Sequence, residues 1–545
     1  MKRAALFKLG LTCAGLIALA TGAALLKGGL YLGQHEGDAL HLLQILALMA
    51  DGWQPHRDFM TPIGMLAFWP ITGLIGQGAG AGMALMLAQS LLALALMPAI
   101  LWLAASRLRF WPAMLMAAAT LVLVLALVHG ETGRYVSVSM HYNRWAWALA
   151  IPVVLTAVLK PQYRRSAIAD GLLIGAGFLA LALLKVTYVI GLLPAVLVAL
   201  SMRRQVLTIA VGLIVVTLGI ALINQIFGLR FFWDYIGDLL TVLQSTTRPY
   251  PGEPWQVLVW APQHVAGAVL MIFAIVTVRQ AGRGVEGMAL LLLTPGFLYI
   301  TYQNYGNEPQ WLMIVAVVLF SVGPARKLAN GWGWELKPAI RVAGLVALVL
   351  TVPAFVNMAY SPFRHMLSPS SAYSPMLPDL AVARDVFTRS ARADKAEARI
   401  AAGPLMGFPD RSQTPPEGAP PEDAATFNGE RLPECRINQG MLATHRNYAR
   451  TVAPYLDTAA DQIFVADIFS ALWTMGAGAA PDGLAPWNYG QTQGFQTAEF
   501  LMVPRCATSP KVRRAVLAGI EEQYAGWFTE IARTEALILY RIARP

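Results

Sequence analysis

Two carboxylates separated by one glycine, Glu36-Gly37-Asp38, stand just past the first long apolar run of the chain, with His35 before them and His41 after. A histidine beside a glutamate invites zinc-protease chemistry, in which two histidines one helical turn apart hold the metal and the glutamate activates water. The spacing excludes it. The second histidine would fall at position 39, which is Ala39, and His41 lies six residues past His35, off the same helix face. Asp38 also suits the N-cap of the short helix that follows, because an Asp side chain accepts from the free N–H groups of a first turn. A second acidic residue, Glu131, stands in H-G-E-T-G-R-Y-V-S-V-S-M-H-Y-N-R-W (129–145), where the chain leaves another apolar run. With Asp38 it offers oxygen ligands to a hard divalent cation such as Mg or Mn; its bland alternative is a solvated carboxylate near Arg134. His141 is more simply a hydrogen-bonded loop histidine than a ligand.

The elements that must position these groups are membrane helices. Of 545 residues, 56% are hydrophobic and 13% charged, with mean hydropathy +0.52, whereas soluble domains carry about 25% charged residues. A spanning helix needs about 20 mostly apolar residues. That window gives about eleven spans: 5–31, 81–105, 112–130, 145–159, 167–184, 186–202, 206–227, 257–278, 287–302, 310–325 and 339–358. Residues 1–358 hold 23 Lys+Arg and 12 Asp+Glu, and residues 359–545 hold 18 and 19. The basic balance therefore belongs to the membrane half, and nucleic acid is not implied. Sixteen of the 23 cations fall at the N-terminus and in alternate short loops, which the positive-inside rule makes cytoplasmic. Nine of the twelve acidic residues then face outward, Glu36, Asp38 and Glu131 among them. An odd span count puts the 359–545 tail outside too. The first apolar run is long for a cleaved signal and is expected to stay as an anchor.

After the first span, Leu40 to Met49 form an apolar helix too short to cross, which is expected to lie in the membrane interface. Asp51-Gly52 ends it, and G-W-Q-P-H-R-D-F-M-T-P-I-G follows (52–64). An acidic residue past the first span, an interfacial helix and G-x-x-P-x-R-D-F-x-x-P-x-G resemble the GT-C superfamily of membrane glycosyltransferases. Within it, the resemblance is to the polyprenyl-phosphate-sugar-dependent protein mannosyltransferase-like and aminoarabinose transferase-like group. The matching residues are Gly52, Pro55, Arg57, Asp58, Phe59, Pro62 and Gly64; His56 departs from the usual Tyr before the Arg. Leu184-Lys185-Val186-Thr187-Tyr188 is similar to the K-x-T-Y/F start of a later span in these proteins.

The resemblance implies a multi-pass protein of the bacterial inner membrane, working on its periplasmic side. A hexosyl or pentosyl group would leave a polyprenyl-phosphate carrier for a glycan, lipid or protein acceptor. It implies Asp38 as general base, with Glu36 as the alternative, since both carboxylates are close enough to compete. Arg57, Lys185 and Arg248 are the candidates for the donor phosphate. A lysine at the membrane boundary is costly unless paired or wet, which marks Lys185, although it could also snorkel to headgroups. Arg248 follows an amphipathic stretch, 231–243, and Arg57 could instead be tied to Asp58. Tyr302, Asn304 and Asn307, in the last outward loop, suit sugar hydroxyls or helix ends alike.

From 359 the Pro/Ser-rich sequence reads as a linker. Apolar segments at 399–403, 462–467, 499–504 and 535–541 are expected as strands, and 378–398, 442–455 and 510–533 as helices. The fold class is thus an α-helical membrane bundle (1–358) carrying a small α/β domain (359–545) that would cover the site or bind acceptor. Cys435 and Cys506, on the outward side, are expected to form a disulfide, and Cys13 is a membrane thiol. The rival from another class is a transporter or flippase of lipid-linked saccharides, or an assembly component of such a machine. A transporter should carry polar breaks near the midplane; here the mid-spans are apolar.

Overall fold

In lipid a backbone must satisfy its own hydrogen bonds, so long apolar runs fold as helices. The computed structural model describes residues 1–545 except 131–132, 249–260, 304–307, 325–327, 394–396, 401–424 and 433–434. The membrane half comprises α1 (Arg3–Leu25), β1 (Leu30–Leu32), α2 (Glu36–Ala50), α3 (Trp69–Ile75), α4 (Ala81–Ser106), α5 (Phe110–Leu125), α6 (His141–Val158), α7 (Ala167–Leu184), α8 (Val186–Met202), α9 (Val206–Phe227), α10 (Phe231–Leu243), α11 (Pro262–Gln280), α12 (Gly284–Gln303), α13 (Leu312–Ser321) and α14 (Leu336–Leu367). Each run expected to span contains one of these helices. Among the described residues, seven (α1, α4, α7, α9, α11, α12 and α14) are long and apolar enough to cross a membrane, and α5, α8 and α13 are shorter apolar helices.

Small residues let these helices approach closely, as packing without a hydrophobic driving force requires. A Cβ on Gly296 of α12 would lie 2.0 Å from the Gly191 carbonyl oxygen of α8. Polar clamps join the ends expected to be cytoplasmic. Arg107 donates to both oxygens of Asp170, at 3.0 and 2.6 Å, and Trp102 Nε1 donates to the same carboxylate at 2.8 Å. Arg203 pairs with Glu286 at 3.0 Å.

The C-terminal part adds β2 (Tyr373–Pro375), β3 (Val386–Arg389), α15 (Ser390–Ala393), β4 (Glu397–Ile400), β5 (Thr426–Phe427), β6 (Glu430–Arg431), β7 (Cys435–Gln439), α16 (Met441–Val452), β8 (Ile463–Val465), β9 (Phe500–Pro504), α17 (Pro510–Tyr524), β10 (Phe528–Arg533) and β11 (Leu537–Ile542). Its main sheet runs β10-β11-β9-β8, with β8 and β9 parallel. Leu517 and Ile520 of α17 share a buried core with Phe464, Leu501 and Tyr540 of that sheet. A second sheet, β1-β3-β2, pairs β1, in the loop after α1, in parallel with β3, Leu30 opposite Val386.

Three expectations change. The linker read from 359 starts later: α14 runs on to Leu367, with Pro362 inside it and the Ser361 hydroxyl accepting from the Leu127 N–H at 2.8 Å. The helix expected over 378–398 is broken up: a 3-10 turn (Ala381–Ala383), β3, the one-turn α15 and the start of β4 replace it, and Val386 to Thr388 find ladder partners in β1. The helix expected over 510–533 ends at Tyr524; Gly526 turns the chain at φ 81 into β10. Cys506 is disulfide-bonded and Cys13 is free and buried. The Cys435 side chain lies outside the described residues, though Ile437 two residues on bonds the Ala507 carbonyl at 3.2 Å.

Candidate active site

Asp38 lies in the first turn of α2, not at its cap. The capping position is His35, held in the left-handed region at φ 64 and making no side-chain capping bond. A carboxylate in a first turn gains from the helix dipole, yet burial pushes the Asp38 carboxyl above its ordinary range. His35 and the Ser139 hydroxyl beside it pull the other way. His35 Nδ1 meets Ser137 Oγ at 2.9 Å, and its ring lies 5.4 Å from that of His129. Left-handed backbone in a non-glycine residue stores strain that surrounding contacts must hold; here they hold a histidine next to the carboxylate.

Lys185 stands alone between α7 and α8, in extended backbone at φ −161 and ψ 108. A Cβ at Gly64 would sit 2.1 Å from the Leu183 carbonyl oxygen, and the Gly64 N–H bonds that of Leu184 at 3.2 Å. Only glycine lets the loop between α2 and α3 abut the end of α7. The Lys185 ammonium donates to Asn143 Oδ1 at 3.1 Å and lies 5.4 Å from the Tyr142 ring. Burial, and then the Arg248 charge, lower it to about 7.

Arg248 is exposed and donates to the hydroxyl of Tyr489. Asp38 and Arg248 both lie within electrostatic reach of Tyr142 and of Tyr489. One carboxylate and two cations are thus linked through two phenols, Tyr142 and Tyr489, the groups coming from α2, α6, the α7–α8 break, the segment after α10 and the C-terminal domain.

The loop carrying Tyr489 ties these elements together. The Gly483 N–H bonds the Asp58 carbonyl and the Met60 N–H that of Leu484, each at 2.9 Å. Gln44 of α2 donates to the Pro486 carbonyl at 3.2 Å. The Ser245 and Thr247 hydroxyls donate to the Tyr489 carbonyl at 2.6 and 3.0 Å. Asn488 braces the turn, its side-chain oxygen accepting from Gly490 and Gln491 at 2.7 and 2.9 Å. Tyr489 was not visible in the sequence, because nothing in A-P-W-N-Y-G-Q predicts which membrane loop it reaches. Hydrogen bonds to charged groups contribute about 1.5–3 kcal/mol. Tyr489→Phe is thus expected to raise the donor KM by about 10-fold or more, read from initial rates at varied donor; an unchanged KM would detach the loop from the site.

Other candidates lie apart. Glu36 is ion-paired through both oxygens with Arg392 and faces Thr388, so it is engaged by the C-terminal domain. His141 Nε2 meets the Ala67 carbonyl at 3.0 Å, a structural contact at the start of α6 and not one to the cluster. Arg57 is exposed, and among the described residues it pairs neither with Asp58 nor with the cluster. Asp58 instead accepts from the Gln54 N–H at 2.7 Å and closes the loop's turn. His56, at φ 72, is held by Asp238 of α10, Nδ1 to Oδ2 2.8 Å. Tyr302 ends α12 partly exposed, while Glu131, Asn304 and Asn307 lie outside the described residues. The stretch leading to Glu131 is held by Arg144, which donates to the Ala126 carbonyl at 2.9 Å and to that of Val128. Among the described residues no three His, Cys, Asp or Glu side chains gather as a metal-ion site.

No family model and no curated protein matches the chain. Solved structures do match, at low similarity. Two of them are ArnT from Cupriavidus metallidurans bound to undecaprenyl phosphate (10% identity, 98% of this chain and 99% of that one, TM-score 0.42) and ArnT in the apo state (10% identity, 98% of each chain, TM-score 0.35).

Proposed function

We propose that the chain is a membrane glycosyltransferase that moves a sugar from a polyprenyl-phosphate carrier to an acceptor hydroxyl, with Asp38 as base. The bundle is read as eleven spans, with α2 and α10 in the outer interface and the C-terminal domain on the periplasmic side of a bacterial inner membrane. What supports the reading is a partly buried carboxylate linked to two cations through Tyr142 and Tyr489 at the ends of apolar helices. The acceptor hydroxyl would attack the anomeric carbon as its bond to phosphate oxygen breaks. The hydroxyl proton passes to Asp38, and the electron pair leaves with the polyprenyl phosphate.

The phosphate gains charge as that bond breaks, and Lys185 and Arg248 stand where fixed donors would stabilise it. Tyr489 orients the guanidinium. A divalent cation held by Asp38 and Glu131 would share this charge; no step here depends on it. Membranes carrying the chain, given polyprenyl phosphate loaded with radiolabelled hexose or pentose, should move label off the carrier. Label that stays on the carrier with every sugar and acceptor fraction tried sinks the reading.

A pH profile follows from the two shifted groups. Asp38 must be ionised to accept a proton, and its raised pKa puts the acid limb of kcat/KM above the ordinary carboxylate range of about 4. Lys185 must be charged to hold phosphate, so kcat/KM should fall above about 7. Bound phosphate favours the charged lysine, so the same limb in kcat should move to higher pH. Lys185→Arg should remove the basic limb; a wild-type kcat/KM that stays flat through that range would contradict the assignment.

A further inference from the structure

At the residues that lead directly into Asp38, a cleft of about 280 Å³ opens between the start of α2 and the C-terminal domain. Gln34, His35 and Glu36 line one wall, and Arg392, Met441 and Thr508 the other; none of Tyr142, Lys185, Arg248 or Tyr489 reaches it. His35 thus belongs to both spaces: it lines the cleft and it acts on the Asp38 carboxyl. The volume lies just below the roughly 300–1,000 Å³ of small-molecule sites, room for a single ring and too little for a lipid chain.

The lining chemistry narrows the occupant. The charges on the walls cancel, because Arg392 holds Glu36 through both carboxylate oxygens; a charged ligand would have to break that pair. Hydrogen-bonding groups outside that pair remain: the Gln34 amide, the His35 ring, and the Thr508 hydroxyl, which meets His445 Nε2 at 3.2 Å. Met441, with Ile437 and Leu442, adds an apolar surface. Donors and acceptors around an apolar face match a sugar ring, whose hydroxyls lie at its rim and whose C–H groups form its faces.

We infer that this cleft is the acceptor site and takes a saccharide headgroup, one ring of which presents its hydroxyl past His35 to Asp38. The inference rests on Asp38 being the base of the proposed transfer. It also gives the C-terminal domain a role: the domain supplies one wall for the acceptor, just as its Tyr489 loop completes the donor side.

The test uses the full chain in nanodiscs and two probes, methyl glycosides of hexoses and pentoses followed by saturation-transfer NMR, and undecaprenyl phosphate followed by equilibrium binding. Wild type should give a saturable glycoside signal. Gln34→Trp, which fills the cleft, should weaken glycoside affinity about tenfold or more, and Thr508→Val should weaken it by a smaller factor. Undecaprenyl phosphate should bind all three proteins alike, which also reports that the variants fold. A glycoside signal undiminished in Gln34→Trp overturns the assignment of the cleft. So does the lack of any saturable glycoside signal in a wild type that binds undecaprenyl phosphate; that result leaves the donor reading standing. Glycoside binding by a wild type that ignores undecaprenyl phosphate removes the donor reading and, with it, the acceptor role.

Discussion

Lys185→Met combined with Arg248→Gln is expected to lower kcat/KM for the polyprenyl-phosphate donor by about 10³-fold or more. Each side chain offers a charge-assisted hydrogen bond of about 1.5–3 kcal/mol, and removal of one donor to a developing oxyanion costs about 10²–10³-fold. Lys185 should show the larger single effect, because it is the more buried of the two and its charge is less screened. The single losses should not simply add. The Arg248 charge lowers the Lys185 pKa, so its removal makes Lys185 easier to charge and softens the second loss. Initial rates at varied donor for the two single variants and the double variant check this. Rates within a few-fold of wild type in the double variant would place the phosphate elsewhere.

Asp38→Asn carries the other large effect. The amide keeps the size of the carboxylate but cannot take the acceptor proton, and a positioned general base contributes about 10²–10⁴-fold. The loss should fall on kcat. Donor binding should hold or tighten, since the substitution removes a negative charge near the phosphate site proposed at Lys185 and Arg248. That split separates chemistry from folding damage, which would weaken both. Glu36→Gln should behave differently: it breaks the link to Arg392 and so loosens the C-terminal domain against α2, without removing the group beside His35 and Ser139.

Much of the membrane half was legible because charge at a membrane boundary is rare and costly. Lys185 stands out in sequence for that reason, Asp38 through the resemblance and Arg248 by following an amphipathic stretch; the fold links Asp38 and Arg248 through Tyr142 and Tyr489 from positions more than 200 residues apart. The roles of Glu36 and Asp38 could not be separated in sequence, because that depends on Arg392 arriving next to Glu36. The arrival follows from the parallel pairing of β1 with β3, a contact across more than 350 residues. The same pairing explains why 378–398 was misread: its helical periodicity lost to ladder partners that local sequence does not contain. Tyr489 was hidden for a similar reason, in a loop whose value comes from what it reaches. Asp58 and Arg57 show the opposite case. Both belong to the recognisable motif, yet in the fold Asp58 shapes the loop and Arg57 stays outside the cluster, so the motif reports loop geometry more than chemistry.

The most direct measurement of the central claim is a single-turnover assay on wild type and Asp38→Asn side by side, each preloaded with polyprenyl phosphate bearing radiolabelled sugar. Bound donor and transferred label are counted in the same sample. Equal donor on both proteins, with label moving from wild type and at least about 100-fold more slowly from the variant, is the predicted result. Label leaving Asp38→Asn as fast as it leaves wild type would contradict the account.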